Sequence, residues 1–219
     1  MLKKLSVLII LFSLLSCNRF NNKENSNIEK RIVCLSKHLT EYMFALGLGN
    51  KIVAVDLSST YPDSAKLLKT VGYHRALNPE GIISLSPDLV IHSNDIGPET
   101  VLPQIVNAGL KVESFGKANT IDSAKIVIHQ LSQYFKATQN EQKIITKMDD
   151  DLKLAATKLE QLKLVDTPKV MVIHFGRANN VYFVMSGRNG CADKMIELAG
   201  GKVAKYDAKG ARQISAEAI

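Results

Sequence analysis

The chain has 219 residues, a formal net charge of +7, 46% apolar residues and 22% charged residues. That balance is the one of an ordinary globular protein, long enough for one large domain or two small ones with an ample core. Its basic residues are scattered, with no run of five or more, which argues against a nucleic-acid surface and suits an anionic small ligand or an acidic membrane surface.

Residues 1–17 read as a targeting segment. Lys3 and Lys4 make its positive start, and residues 5–15 an apolar stretch too short for a bilayer that needs about 20 residues. It ends Leu14-Leu15-Ser16-Cys17, a pattern similar to the lipobox of bacterial lipoproteins, in which Cys17 is acylated. An ordinary secretory signal with an incidental cysteine is the competing reading. Residues 18–30 are polar, rich in Asn and Lys, and read as a flexible tether. The chain is expected to be exported and lipid-anchored at the cell envelope, on the periplasmic side or the cell surface. Cys34 and Cys191 are expected to be two buried thiols rather than a disulfide.

From Arg31 strands and helices alternate. Residues 32–35 predict a strand, 38–48 a helix, 51–56 a strand, 88–93 a strand, 99–108 a helix and 112–115 a strand. Such alternation predicts a parallel sheet covered on both faces, with ligands bound outside the carboxyl ends of its strands, where the loops of Ser58, Tyr73 and Asn94 gather. A helix at 120–137 follows, then a long one at 140–164 capped by Asn140, read as a rigid spine; Asp149, Asp150 and Asp151 form its solvated face. Strands at 169–174 and 181–185 and a helix at 193–199 restart the rhythm. The predicted fold class is α/β, two Rossmann-like lobes with parallel sheets joined by one long helix. The expected domains are an N-terminal lobe (31–137), a linking helix (138–166) and an incomplete C-terminal lobe (167–219).

Residues 70–93 carry the chemistry. Tyr73 stands beside His74 and Arg75, and neighbouring positive charge favours phenolate over phenol. Phenolate oxygen suits ferric iron, and tyrosine is one of the residues that hold haem iron. A plain loop tyrosine flanked by solvated cations is the alternative. Glu80 opens a short helix behind Pro79. The stretch 213–219 repeats the pattern of 77–83, with Glu217 in the place of Glu80. In the first copy a strand follows, so the chain is expected to be a fragment that continues beyond Ile219. His38, His92 and His129 read as structural or solvated. No nucleophile elbow, phosphate loop or H-E-x-x-H motif points to an enzyme.

The residues Arg31-Ile32-Val33, Asp56, Tyr61-Pro62, Val71-Gly72-Tyr73, Leu77, Pro79-Glu80-Gly81-Ile82 and Pro87-Asp88-Leu89-Val90 together resemble the substrate-binding proteins of bacterial haem ABC importers, within the cobalamin and siderophore type. Val172-Ile173-His174-Phe175-Gly176, Ser186-Gly187-Arg188 and Ala199-Gly200-Gly201 extend the resemblance. It implies a monomer that binds haem between two lobes and delivers it to a membrane permease; a cobalamin or ferric-siderophore carrier of the same fold is the alternative. It makes Tyr73 the axial iron ligand and His174 a second ligand from the opposite lobe. Arg75, Arg177, Ser58 and Tyr61 are expected to line the haem pocket, and Glu80 and Glu217 to meet arginines of the permease. The chain departs from the family at Ser36-Lys37-His38, at Phe175-Gly176 after the histidine, and at Arg177.

Overall fold

The structure, a computed structural model, describes residues 31–162, 166–175, 182–186, 190–204 and 213–214. The targeting segment with Cys17, the tether, Arg177 and Glu217 lie outside the described residues.

Five short strands form one all-parallel sheet: β1 (Ile32–Cys34), β2 (Ile52–Val55), β3 (Lys69–Thr70), β4 (Leu89–His92) and β5 (Val112–Ser114), in the order β3-β2-β1-β4-β5. Successive side chains of a strand point to opposite faces, and both faces are apolar here. Ile32, Cys34, Leu89 and Ile91 enter one buried cluster, while Val33, Leu35 and Val90 enter a second. Helices α1 (Lys37–Ala45) and, later in the chain, Ile121–Phe135 cover the first face through Leu39, Met43, Val127, Ile128 and Leu131. α2 (Pro79–Ile83) and α3 (Val101–Asn107) cover the second through Ile82, Val101 and Ile105. Burial of each such side chain contributes roughly 1.5–3 kcal/mol, which explains why strands of three or four residues suffice.

Local chemistry sets the helix starts. In α2, the Asn78 side chain accepts from the Glu80 N–H at 2.9 Å and Pro79 needs no donor partner. The helix Ile121–Phe135, α4, opens on a reciprocal cap between Thr120 and Ser123. At the opposite end of the sheet from the candidate site, Arg31 donates through its guanidinium to the carbonyls of Leu85 (2.7 Å) and Ser86 (3.4 Å). Its backbone N–H donates to Asp88 at 2.9 Å. Arg31 and Asp88 are thus structural staples that fix where β1 and β4 begin.

The long helix α5 (Thr138–Gln161) has 24 residues, about 36 Å of rise. Its cap is Ala137, and Asn140 instead donates its side-chain amide to the carbonyl of Leu46 at 2.8 Å, locking the first turn onto the end of α1. No α5 residue is fully buried; Ile144, Ile145 and Met148 pack half-buried on the first cluster. Near its far end, Leu159 crowds Gly200, where an added Cβ would lie 3.0 Å from Leu159 Cδ2.

Beyond α5 the predicted strand at 169–174 is two strands that join different sheets. β6 (Lys169–Val170) pairs in parallel with β9 (Lys202–Val203), after helix α6 (Cys191–Leu198). β7 (Ile173–Phe175) turns away and runs antiparallel to β8 (Tyr182–Val184), which also pairs antiparallel with β10 (Gln213–Ile214). The parallel arrangement expected for this part of the chain therefore holds for one pair of strands, and the remaining described strands form an antiparallel ribbon. The break falls at Met171-Val172, where the Val172 N–H donates to the Ser186 hydroxyl at 3.1 Å instead of to a ladder partner.

Candidate functional site

A cavity of about 300 Å³ opens at the carboxyl ends of the parallel strands. Residues 36–38 enter it after β1, Ser58 after β2, His74 after β3, Asp95 after β4 and Lys117 after β5; Cys191, at the start of α6, closes one side. Parallel sheets gather ligand loops at this end, and here every strand of the sheet sends one residue or more.

The floor of the site is a polar network around Asp56, whose side chain is 0% exposed. Asp56 Oδ2 accepts from the Ser58 N–H at 3.0 Å and from the Ser58 hydroxyl, and its Oδ1 accepts from the Ser59 hydroxyl at 2.5 Å. His74 Nδ1 lies 3.1 Å from the same Oδ2. The buried carboxylate therefore fastens two loops together, the one after β2 and the one after β3. A backbone bond from Leu57 N–H to the Gly72 carbonyl, 2.8 Å, reinforces the junction. Gly72 sits at φ +98°, a conformation that a side chain would strain, so the chain can turn there into Tyr73.

Tyr73, His74 and Arg75 do not continue a strand. The Ala76 N–H donates to the Tyr73 carbonyl at 2.8 Å and the Gly97 N–H to the His74 carbonyl at 2.9 Å, so the three residues form a turn clamped to the loop after β4. Tyr73 is 44% exposed and meets the His74 ring edge-on, with centroids 4.5 Å apart. Arg75 turns to Asp95 and donates to its Oδ2 at 2.7 Å. This pairing holds the Asp95 carboxyl below its ordinary range and raises the Arg75 guanidinium above its own.

His38, expected to be structural or solvated, lines the cavity. Its Nε2 lies 3.3 Å from the Gly116 carbonyl, which only accepts, so Nε2 carries the proton and Nδ1 accepts from the Ser36 hydroxyl at 3.0 Å. Burial lowers the His38 pKa, in keeping with a neutral ring. His92 is likewise lowered by burial and accepts the Asn94 N–H at 3.1 Å; His129 reaches Glu141 at 2.7 Å, between α4 and α5.

Of the expected pocket residues, Ser58 lines the cavity and Arg75 reaches it through Asp95. Tyr73 adjoins it through His74. Tyr61 is 66% exposed and His174 is exposed on β7, opposite Phe183; neither is among the lining residues. Glu80 is exposed in the first turn of α2. Cys34 is buried, which pushes its thiol up to about 12, whereas Cys191 is exposed, so the expectation of two buried thiols fails for Cys191. Its place at the first position of α6 faces the cavity instead of the core. Asp95 and Lys117 gave no signal in the sequence, because single charges in loops look alike until the strands bring them together.

Residues 32–219 match the family described as periplasmic binding protein, and the chain belongs to that family. A vitamin B12-binding protein of Vibrio vulnificus (strain CMCP6) is 36% identical over 134 residues, covering 61% of this chain and 46% of that protein. An "uncharacterized ABC transporter substrate-binding lipoprotein", YvrC of Bacillus subtilis (strain 168), is 29% identical over 192 residues, covering 87% of this chain and 60% of that protein. Among solved structures, a periplasmic heme binding protein from Pseudomonas aeruginosa is similar with a TM-score of 0.77 at 29% identity, covering 87% of this chain and 67% of that one. The chain spans about half the length of the curated relatives it matches.

Proposed function

We propose that the protein is the extracytoplasmic substrate-binding component of an ABC importer, that it binds haem in a cleft between two lobes, and that Tyr73 is the axial ligand of the ferric iron. The observation that carries this reading is the placement of Tyr73. Its turn is pinned from below by the buried Asp56–His74 contact, while its ring stays 44% exposed beside the strand-end cavity. Haem brings four ring nitrogens to its iron and needs only one or two protein ligands. Tyr73 offers one anionic oxygen, and His174 is the candidate for a second.

Leu57, Tyr61 and Tyr73 are exposed on the two fastened loops, 60%, 66% and 44% respectively, and large apolar side chains left in water suit a flat, mostly apolar ligand. Arg75 and Arg177 are then the donors for its acid groups, and Ser58 lines the pocket. Acylated Cys17 supplies the lipid anchor in this reading, and residues 18–30 the tether. Glu80 and Glu217 present paired acids to the permease, and the protein works as a monomeric carrier that returns its ligand unchanged.

A corrinoid is the second reading, favoured by the relatives named for vitamin B12. Titration of the full-length soluble protein with ferric haem separates the two. The haem reading expects a shifted Soret band with the charge-transfer absorption of a high-spin iron–phenolate, lost in Tyr73→Phe. No spectral change with haem, together with cobalamin binding indifferent to Tyr73→Phe, would establish the corrinoid instead.

A further inference from the structure

Asp95 is the one acidic side chain among the described residues that line the cavity, and nitrogen-bearing side chains converge on it. Arg75, from the loop after β3, donates to its Oδ2 at 2.7 Å. Lys117, from the loop after β5, holds its Nζ 3.9 Å from Oδ1, and His74 Nε2 lies 3.9 Å from Oδ2. Lys37, also on the lining, adds a further cation to the same space. Side chains from two loops, on opposite sides of the β4 loop, thus define a seat for one carboxylate, and the protein's own carboxylate sits in it.

The seat is built so that its occupant can leave. The Asp95 and Arg75 side chains are 37% and 58% exposed, and an ion pair this wet is weak. Nor does the loop need the carboxylate for its shape. Bonds to its backbone groups hold it on both sides of Asp95: Gly97 N–H to the His74 carbonyl and Leu77 N–H to the Gly97 carbonyl, each 2.9 Å, and Asn94 N–H to the His92 side-chain Nδ1, 3.1 Å. A carboxylate with no structural duty, placed among cations at the wall of a binding cavity, has the position of a ligand group.

We propose that Asp95 is a stand-in anion: it occupies the place of a carboxylate of the ligand, and the ligand's acid group displaces it from Arg75 and Lys117 on binding. The inference rests on the haem reading for the ligand and adds a rule of selection, that the site takes molecules bearing a free carboxylate. Once displaced, Asp95 lies close to the incoming acid and repels it. Asp95 therefore opposes the binding it prepares, and a ligand whose acids are masked has nothing to exchange.

The test compares full-length protein and Asp95→Asn in absorbance titrations with ferric haem and with ferric haem dimethyl ester, both in the same dilute detergent at low salt. Asp95→Asn is expected to tighten haem binding by up to about fivefold, the size of one exposed charge pair, and to leave the ester unchanged. The gain should shrink in 1 M sodium chloride and vanish when Arg75→Gln is added. Asp95→Ala repeats the measurement should the amide alter the fold. Weaker binding of both porphyrins in the variants, or no change in either, would overturn the proposal while leaving the haem reading intact. Misfolding of both variants would overturn it too, since the carboxylate would then be structural. Absence of binding of either porphyrin to the unaltered protein removes both readings together.

Discussion

His74 Nδ1 lies 3.1 Å from Asp56 Oδ2, across 18 residues of sequence, over a carboxylate with no access to water. One buried acid thereby decides where the tyrosine next to His74 stands. Asp56→Ala takes the carboxylate from the half-buried Ser58 hydroxyl and His74 ring and from the buried Ser59 hydroxyl, which keeps Thr40 at 3.0 Å, and loss of such a hydrogen-bond network costs about 1–3 kcal/mol. Urea unfolding should show a loss of at least that size, with haem affinity reduced as the loops separate. An unchanged midpoint would mean that the network is ornamental.

The ligands should rank in order. Tyr73→Ala is expected to weaken haem binding far more than His174→Ala, with Arg75→Ala between them. Removal of supporting residues around a metal ligand costs about 10–100-fold, so loss of the ligand itself should cost at least as much. Soret titrations of the three variants measure this. Equal effects of Tyr73→Ala and His174→Ala would replace the single-tyrosine picture with two equivalent ligands.

Glu80 is exposed, and its loss should leave melting temperature and haem affinity almost unchanged. Transfer of haem to permease reconstituted in vesicles should fall in Glu80→Ala and Glu217→Ala, and fall further in the double variant. High salt should imitate the substitutions, because rim charges act on encounter and are screened within about 8 Å at physiological ionic strength. Helix capping alone predicts the reverse, a slightly lower melting temperature with normal transfer.

Acid should loosen the fold through two histidines. His38 and His92 have pKa values lowered from 6.5 by burial, so below that pH the unfolded chain takes up protons that the folded one refuses. Stability is therefore fully present above about pH 6.5 and declines as pH falls toward the lower folded values. Denaturant titrations from pH 7.5 to 5 should show the decline, and the His38→Gln, His92→Gln double variant should flatten it. The same slope in that variant would assign the acid sensitivity to other groups.

The sheet was legible because its strands are apolar on both faces: the runs ending at Leu35 and at His92 admit no other place than the centre. The site was legible only in part. Tyr73 is singled out by its neighbours His74 and Arg75, but Asp56, His74 and Asp95 meet through contacts 18 and more residues long, which local pattern does not record. β3 is two exposed residues, Lys69 and Thr70, with no apolar alternation to betray them. Asn140 has the chemistry of a helix cap and serves a neighbouring helix instead, because the carbonyl at the end of α1 lies within its reach. The run 169–174 looks continuous in hydropathy, yet a side-chain hydroxyl from residue 186 takes the backbone bond that would have extended it.

β1 is the first described element of the chain and also the middle strand of its sheet, with Ile32 paired to Ile52 on one side and to Leu89 on the other. A pull applied at Arg31 enters the fold at its centre rather than at an edge. Force directed along β1 loads two parallel ladders in shear at once, so their backbone bonds must slide together and cannot unzip singly. The start of β1 is thus a mechanically resistant point of the domain, and the loops that line the cavity lie at the opposite end of that same strand.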